Sequence, residues 1–227
     1  MLAPLFEPEF NVGSFGSRPN KNARHAVGQS WDYIHQGLSH IVDIDLKNFF
    51  DEFDHCLLLN LVFKKGRCKT TMRLIRKWLR APIQINGKMQ KRRKGVPQGS
   101  PLSPLLSDIL IHKMDKEMTI RKLKFVRYAD YFSIYCKSHS QAKATSQTLV
   151  KFLGTKLKLT VNMEKSGIRK PVNFTILGFG FVPVYRKGSK NQYQLIVAEK
   201  AWRKLKVRLK GITRKTTAAN LEGRLLS

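Results

Sequence analysis

Asp45 closes an apolar run, Ile41-Val42-Asp43-Ile44-Asp45-Leu46. Asp130 sits at the tip between Phe125–Tyr128 and Phe132–Cys136. A single aspartate at a strand end is ordinarily a helix N-cap or a turn residue. Two raised on adjacent strand ends supply oxygen ligands for a hard cation such as Mg²⁺. That is what two-metal phosphoryl transfer needs: one ion activates an attacking 3′-hydroxyl and the other stabilises a leaving pyrophosphate. Strand alternation puts Asp43 on the face of Asp45; it is an additional ligand candidate, and a structural surface charge is the simpler reading. Phe49-Phe50 follow. An aromatic a few residues beyond the first aspartate can sit under a sugar and exclude a 2′-hydroxyl.

Two further segments carry chemistry. In Gly95-Val96-Pro97-Gln98-Gly99-Ser100-Pro101, glycine and proline alternate into a rigid turn before a long apolar segment. Small residues there allow a base or sugar close to the backbone, and Gln98 can hydrogen-bond a nucleotide edge or sugar. In LTVNMEKSGI (159–168), Lys165 can protonate a leaving pyrophosphate as general acid, and in the following FTILGFGF (174–181), Leu177-Gly178-Phe179 can form a tight hairpin under a strand end. Taken alone, the simpler readings of these two are a solvated lysine and a hairpin core.

The elements that must position these residues are legible from periodicity. Residues 23–36 carry Ala26, Val27, Trp31 and Ile34 at helical spacing, and Ile41–Leu46 reads as a strand. Asp51–Lys64 reads as a helix with Phe53, Leu57, Leu58, Leu61 and Val62 inward, and Thr70–Arg80 as another. Asn86-Gly87 between short strands is a hairpin signal. Pro101–Met118 reads as a helix with proline in its first turn, followed by the strand pair around Ala129-Asp130 and a helix over Ser140–Leu153. Thr175–Val184 and Tyr193–Val197 read as a hairpin with Arg186–Lys190 in its loop. A basic helix starts at Glu199. The mixed order predicts an α+β fold, helices packed on an antiparallel sheet.

The chain has 227 residues, 42% hydrophobic and 26% charged, which is ordinary for a globular protein and argues against wholesale disorder. The charge is not ordinary: 43 Lys and Arg against 15 Asp and Glu give a net +28. Nucleic acid is the partner class this implies. A membrane surface is the rival, but it would want one basic amphipathic helix, and here the basic residues run along the whole sequence. No apolar stretch long enough to span a bilayer occurs, nor a secretory signal at Met1–Phe10. Cys56, Cys68 and Cys136 form neither a disulfide framework nor a zinc pattern, so a cytoplasmic location is expected.

In order, SFGSRP (14–19), DIDLKNFFDEFDH (43–55), GVPQGSPLSP (95–104), RYADY (127–131), LTVNMEKS (159–166) and ILGFGF (176–181) resemble the conserved blocks of reverse transcriptases encoded by bacterial group II introns. The resemblance covers about residues 10–215. It implies a right-hand polymerase with partial fingers over 1–40, a palm over 41–198 containing a fingers-derived segment at about 60–95, and the start of a thumb over 199–227. It implies RNA-directed DNA polymerisation with two Mg²⁺ ions, deoxynucleoside triphosphates, an RNA template and a DNA primer. Asp45, Asp130 and the Leu46 backbone would hold metal, with Lys165 as general acid. Phe50 would gate the sugar, with Phe49 as alternative. Gln98, Gly99 and Arg18 would meet the substrate, and Leu177, Gly178 and Phe179 would form the primer grip.

The departures from the family are specific. Its usual Tyr-Ala-Asp-Asp reads Tyr128-Ala129-Asp130-Tyr131 here, and a phenol supplies no carboxylate at neutral pH. Ser17 stands where an aromatic is usual. Two blocks that carry triphosphate-gripping residues precede the first one seen here, and the sequence stops inside the thumb, so palm plus part of the fingers of a larger polymerase is expected. Three readings follow: an impaired polymerase, an RNA-binding maturase-like remnant, and a retron or diversity-generating lineage. The PQGSPLSP form of its block weighs against the last.

Overall fold

The computed structural model describes residues 2–85, 87–185 and 192–213. In chain order the elements are α1 (Ala3–Phe6), α2 (Ala23–His35), β1 (His40–Asp45), α3 (His55–Gly66), α4 (Lys69–Leu79), β2 (Ile83–Ile85), β3 (Lys88–Gln90), α5 (Leu102–Ile120), β4 (Lys124–Tyr128), β5 (Tyr131–Cys136), α6 (His139–Phe152), β6 (Gly167–Arg169), β7 (Thr175–Ile176), β8 (Phe179–Pro183), β9 (Tyr193–Val197) and α7 (Glu199–Ile212). Helices on antiparallel sheets give the expected α+β class.

The central sheet has the order β4-β5-β1-β6, with β1 antiparallel to both neighbours. Its two faces bury different cores. Val42, Ile44, Phe132 and Ile134 face α3, α4, α5 and α6 through Leu58, Ile75, Leu106 and Leu149. Ile41, Val126 and Tyr135 face α2 and the second sheet, β7-β8-β9, through Ala26, Val27, Ile34, Phe174 and Phe181. Because side chains alternate along a strand, Asp43 and Asp45 share the face of Ile41, and emerge where the second core gives way to polar residues. The residues expected in short strands and helices form them, with two differences.

The helix expected from Asp51 begins at His55. Asp54 is its N-cap, accepting from the Leu57 N–H at 2.8 Å, so Phe49–Asp51 is a separate 3₁₀ turn. Phe53 is buried, as expected, but from the connecting turn. Thr175–Val184 is not one strand. Leu177 and Gly178 both have positive φ, 49° and 85°, and reverse the chain between β7 and β8. This matches a two-residue hairpin whose central residues are both left-handed. The β2–β3 hairpin forms, with its Asn86 outside the described residues; the Arg186–Lys190 loop and the chain beyond Thr213 also lie outside them.

Candidate active site

Asp45 is the last residue of β1 and the Cα partner of Tyr131, the first of β5. Asp130 occupies the two-residue turn just before it, so both carboxylates sit at one end of the central sheet. They are close enough to interact. Burial, reinforced by the negative charge of Asp45, holds the Asp130 carboxyl above its ordinary value, and Lys165 partly offsets this. Lys165 Nζ lies 3.6 Å from Asp45 Oδ2, on an exposed side chain. The segment that carries it is stitched to β1: Asn162 N–H donates to the Asp45 carbonyl at 2.9 Å, and Asp45 N–H donates to Ser166 Oγ at 3.0 Å. Leu46 is buried and bridges Val161. Asp45, Asp130 and Lys165 therefore come together as one cluster.

Asp43 lies on the same face but is already committed. Arg169 Nε donates to its Oδ2 at 2.6 Å. The Tyr131 ring packs on the second core, and its hydroxyl lies against Asp43 and 3.4 Å from the Thr175 carbonyl. Burial first, then the Asp43 charge, raises the pKa of this phenol, so it stays protonated.

The donor set can be tested against the divalent ions that the motif resemblance implies. Asp45 and Asp130 are hard oxygen donors pressed close enough to repel, which is the situation a cation relieves. Among the described residues no group of three His, Cys, Asp or Glu surrounds a common point. The two carboxylates would supply oxygen ligands to such a cation, and among the described residues no third acid joins them.

Phe50, five residues along the chain from Asp45, lines an open cleft of about 490 Å³ with Gln98, Gly99, Ser100, Pro101, Ser103 and Pro104. Phe50 is part-buried and faces it; Phe49 is 3% exposed and belongs to the core. The two chain segments meet through Val96 N–H to the Phe50 carbonyl at 2.7 Å and Gly95 N–H to the Phe53 carbonyl at 2.8 Å. Gly95 is required there. Its φ is 83°, and a Cβ would come within 2.9 Å of the Asp51 and Phe50 backbone. Ser103 Oγ closes the turn on the Pro97 carbonyl.

Leu177-Gly178 turns beneath α7, with Ala198 N–H donating to the Gly178 carbonyl at 2.8 Å, and Phe179 is part-buried on the second core. Arg18 is a correction to the expected substrate contact. Its guanidinium pairs with Glu7 at 2.6 Å, lies over the Phe10 ring and donates to the Asn11 carbonyl, with its side chain only 6% exposed. It braces the N-terminal segment instead of facing the cleft.

Sequence reasoning missed a buried network. Arg127, fully buried on β4, donates to Asp115 at 2.9 Å and to Asp108 at 2.8 Å, both on α5. The signal was present: an arginine among the apolar residues of a strand, and two aspartates seven residues apart on the face of a helix that also carries Ile111 and Met118.

An antiparallel palm-type sheet with acids at its tip, backed by helices and flanked by a cleft at the start of a long helix, defines a right-hand polymerase core. The reverse transcriptase (RNA-dependent DNA polymerase) family matches residues 1–181, and the chain belongs to that family. The group II intron-encoded protein LtrA of Lactococcus lactis subsp. cremoris is 32% identical over 174 residues, which is 75% of this chain and 29% of LtrA. A putative COX1/OXI3 intron 2 protein of Saccharomyces cerevisiae is 26% identical, covering 74% of this chain and 26% of its own length. The chain thus spans less than a third of either relative. The telomerase of Candida albicans, solved with a fragment of telomeric RNA, superposes with a TM-score of 0.59 over 79% of this chain and 34% of its own, at 16% identity, which speaks to the fold alone. The resemblance read from the motifs agrees with these relatives. Among the described residues no helix is long and apolar enough to cross a membrane.

Proposed function

We propose that this chain is the palm-and-fingers core of a group II intron-type reverse transcriptase, carrying out slow RNA-directed addition of deoxynucleotides to a DNA primer. The observation that carries this is the convergence of Asp45, Asp130 and Lys165 at one sheet end; the cleft of Phe50, Gln98 and Gly99 lies at the start of α5. On this reading residues 41–198 are the palm, with about 60–95 contributed by the fingers, and α7 opens the thumb.

Asp45 and Asp130 hold Mg²⁺, with the Leu46 backbone beside them. When bound, the cation supplies activation of the primer hydroxyl and neutralises charge on the leaving pyrophosphate. Lys165 gives a proton to that leaving group. Phe50 stacks under the incoming sugar and leaves no room for a 2′-hydroxyl. Gln98 offers its amide to the nucleotide, and Leu177-Gly178-Phe179 supports the primer end. Tyr131 supplies no charge, so the metal site is weak and turnover is slow.

Primer extension on an RNA template with Mg²⁺ tests this. Expected is slow template-directed addition that Asp45→Asn abolishes. If neither the wild-type chain nor Tyr131→Asp shows any Asp45-dependent addition while RNA is still bound, the polymerase reading falls and RNA binding alone remains.

A further inference from the structure

The Asp130 turn is an awkward piece of backbone. Ala129 has a φ of 54°, a left-handed conformation that a residue with a Cβ rarely adopts. Something must hold it, and three contacts do. Arg127 Nη1 donates to the Ala129 carbonyl at 3.2 Å. The strand just before it is clasped by residues 13–15, with Arg127 N–H to the Gly13 carbonyl at 2.8 Å and Phe15 N–H to the Arg127 carbonyl at 2.9 Å. Gly16 lies so close that a Cβ on it would fall 2.3 Å from the Ala129 nitrogen.

Only the first of these runs through a side chain, and that side chain is anchored elsewhere. The Arg127 guanidinium makes a forked contact with Asp115, Nε to Oδ1 at 2.9 Å and Nη2 to Oδ2 at 2.9 Å, and its Nη1 reaches Asp108 at 2.8 Å. All three side chains are nearly or wholly excluded from solvent. A planar guanidinium between two carboxylates has little freedom to rotate, so its remaining donor direction is fixed on Ala129. Asp108 and Asp115 belong to α5, whose first turn borders the cleft of Gln98 and Gly99.

We propose that Arg127 is a positioning residue for the metal site: clamped by Asp108 and Asp115, it holds the Ala129 carbonyl and so fixes the backbone from which Asp130 projects, tying that carboxylate to the helix that borders the nucleotide cleft. This rests on the reading of Asp45 and Asp130 as metal ligands. Buried charges are costly unless paired, and a pair placed here, against the one strained residue beside Asp130, acts on geometry as well as on stability.

The test is Mn²⁺ binding to the whole chain, followed as loss of the free-ion electron paramagnetic resonance signal, alongside thermal melts and RNA affinity. Asp45→Asn defines the site-specific part of the binding. Asp108→Asn and Arg127→Lys should each weaken that part about 10-fold or more, as outer-shell changes do, while RNA affinity stays within about 2-fold because phosphate contacts lie on the surface. Leu149→Ala, which removes a buried side chain of α6 far from the turn in sequence, is the control: it should lower the melting temperature and leave Mn²⁺ affinity unchanged. If Arg127→Lys does not melt cooperatively, Asp108→Asn, which keeps the Arg127–Asp115 fork, decides alone. Folded variants that bind Mn²⁺ as wild type does overturn the positioning role only. A wild-type chain without Asp45-dependent Mn²⁺ binding overturns the metal-site reading, and this inference with it.

Discussion

Tyr131 stands directly across from Asp45 in the β1–β5 register. Its hydroxyl lies against Asp43 and its ring packs against the second core, as Leu177 and Phe179 also do. The position after Asp130 therefore contributes packing where the family usually contributes charge. Arg169 completes the arrangement by pairing with Asp43 at 2.6 Å, so Asp45, held only by the looser 3.6 Å contact of exposed Lys165, is the more available acid on that face.

Tyr131→Asp should exchange packing for metal affinity. Removing a half-buried ring costs about 2 kcal/mol of apolar burial, and the new carboxylate would sit beside Asp43 and Asp45 as a like charge. In a chelator the variant should melt below the wild type. In Mg²⁺ it should regain more than the wild type gains, because a ligand bound only by the folded state stabilises by mass action. Thermal melts with EDTA and with Mg²⁺ measure both; equal Mg²⁺ shifts in the two chains would contradict this account of Tyr131.

Phe50 and Phe49 separate by burial, so their variants should fail differently. In the Tyr131→Asp background, Phe50→Val should raise the ratio of ribonucleotide to deoxynucleotide addition with a modest change in stability. Phe49→Ala should leave that ratio alone and cost about 3 kcal/mol, the usual range for emptying a core aromatic site. Single-nucleotide extension and melting curves read the two effects. A selectivity change confined to the Phe49 variant would move the gate one residue upstream.

What the sequence made legible was local. Alternation in Ile41–Leu46 placed Asp43 and Asp45 on one face, and the Ala129-Asp130 turn between two apolar runs put Asp130 beside them. Arg18 shows what was not legible. The resemblance implied a substrate contact for it, yet Glu7, Phe10 and the Asn11 carbonyl converge on it only when the segment folds back. Arg127 is the reverse case, an arginine counted with the surface charge whose partners lie on α5. The start of α3 was misplaced because Phe53 fits the helical period while Asp54, the residue after it, caps the helix.

RNA binding should weaken steeply with salt. The net charge is +28, and exposed Lys91, Arg93, Lys122 and Lys124, together with cations of α7 such as Lys200 and Lys204, present positive charge that phosphates can meet. Each phosphate neutralised on a single strand adds about 0.7 to the slope of log affinity against log salt. A titration between about 50 and 200 mM salt should show a slope of several units, unchanged in Asp130→Asn, since neutralising phosphates needs no catalytic metal. An affinity insensitive to salt would exclude this binding mode.

Gly16→Ala should damage the site from outside it. The added methyl would lie 2.3 Å from the Ala129 nitrogen and 3.1 Å from its Cα, and backbone cannot swing aside as the end of a side chain can. Either the 13–16 segment lifts from β4, breaking the bonds between Gly13, Phe15 and Arg127, or the turn carrying Asp130 shifts. Overpacking of this kind typically costs about 1–3 kcal/mol. Leu149→Ala, which empties a buried site on α6, outside residues 13–16 and outside β4, is the comparison. Both variants should melt lower than the wild type, but only Gly16→Ala should also lose Asp45-dependent Mn²⁺ affinity. If both lose stability alone, the turn tolerates displacement, and the close approach of Gly16 serves packing without bearing on Asp130.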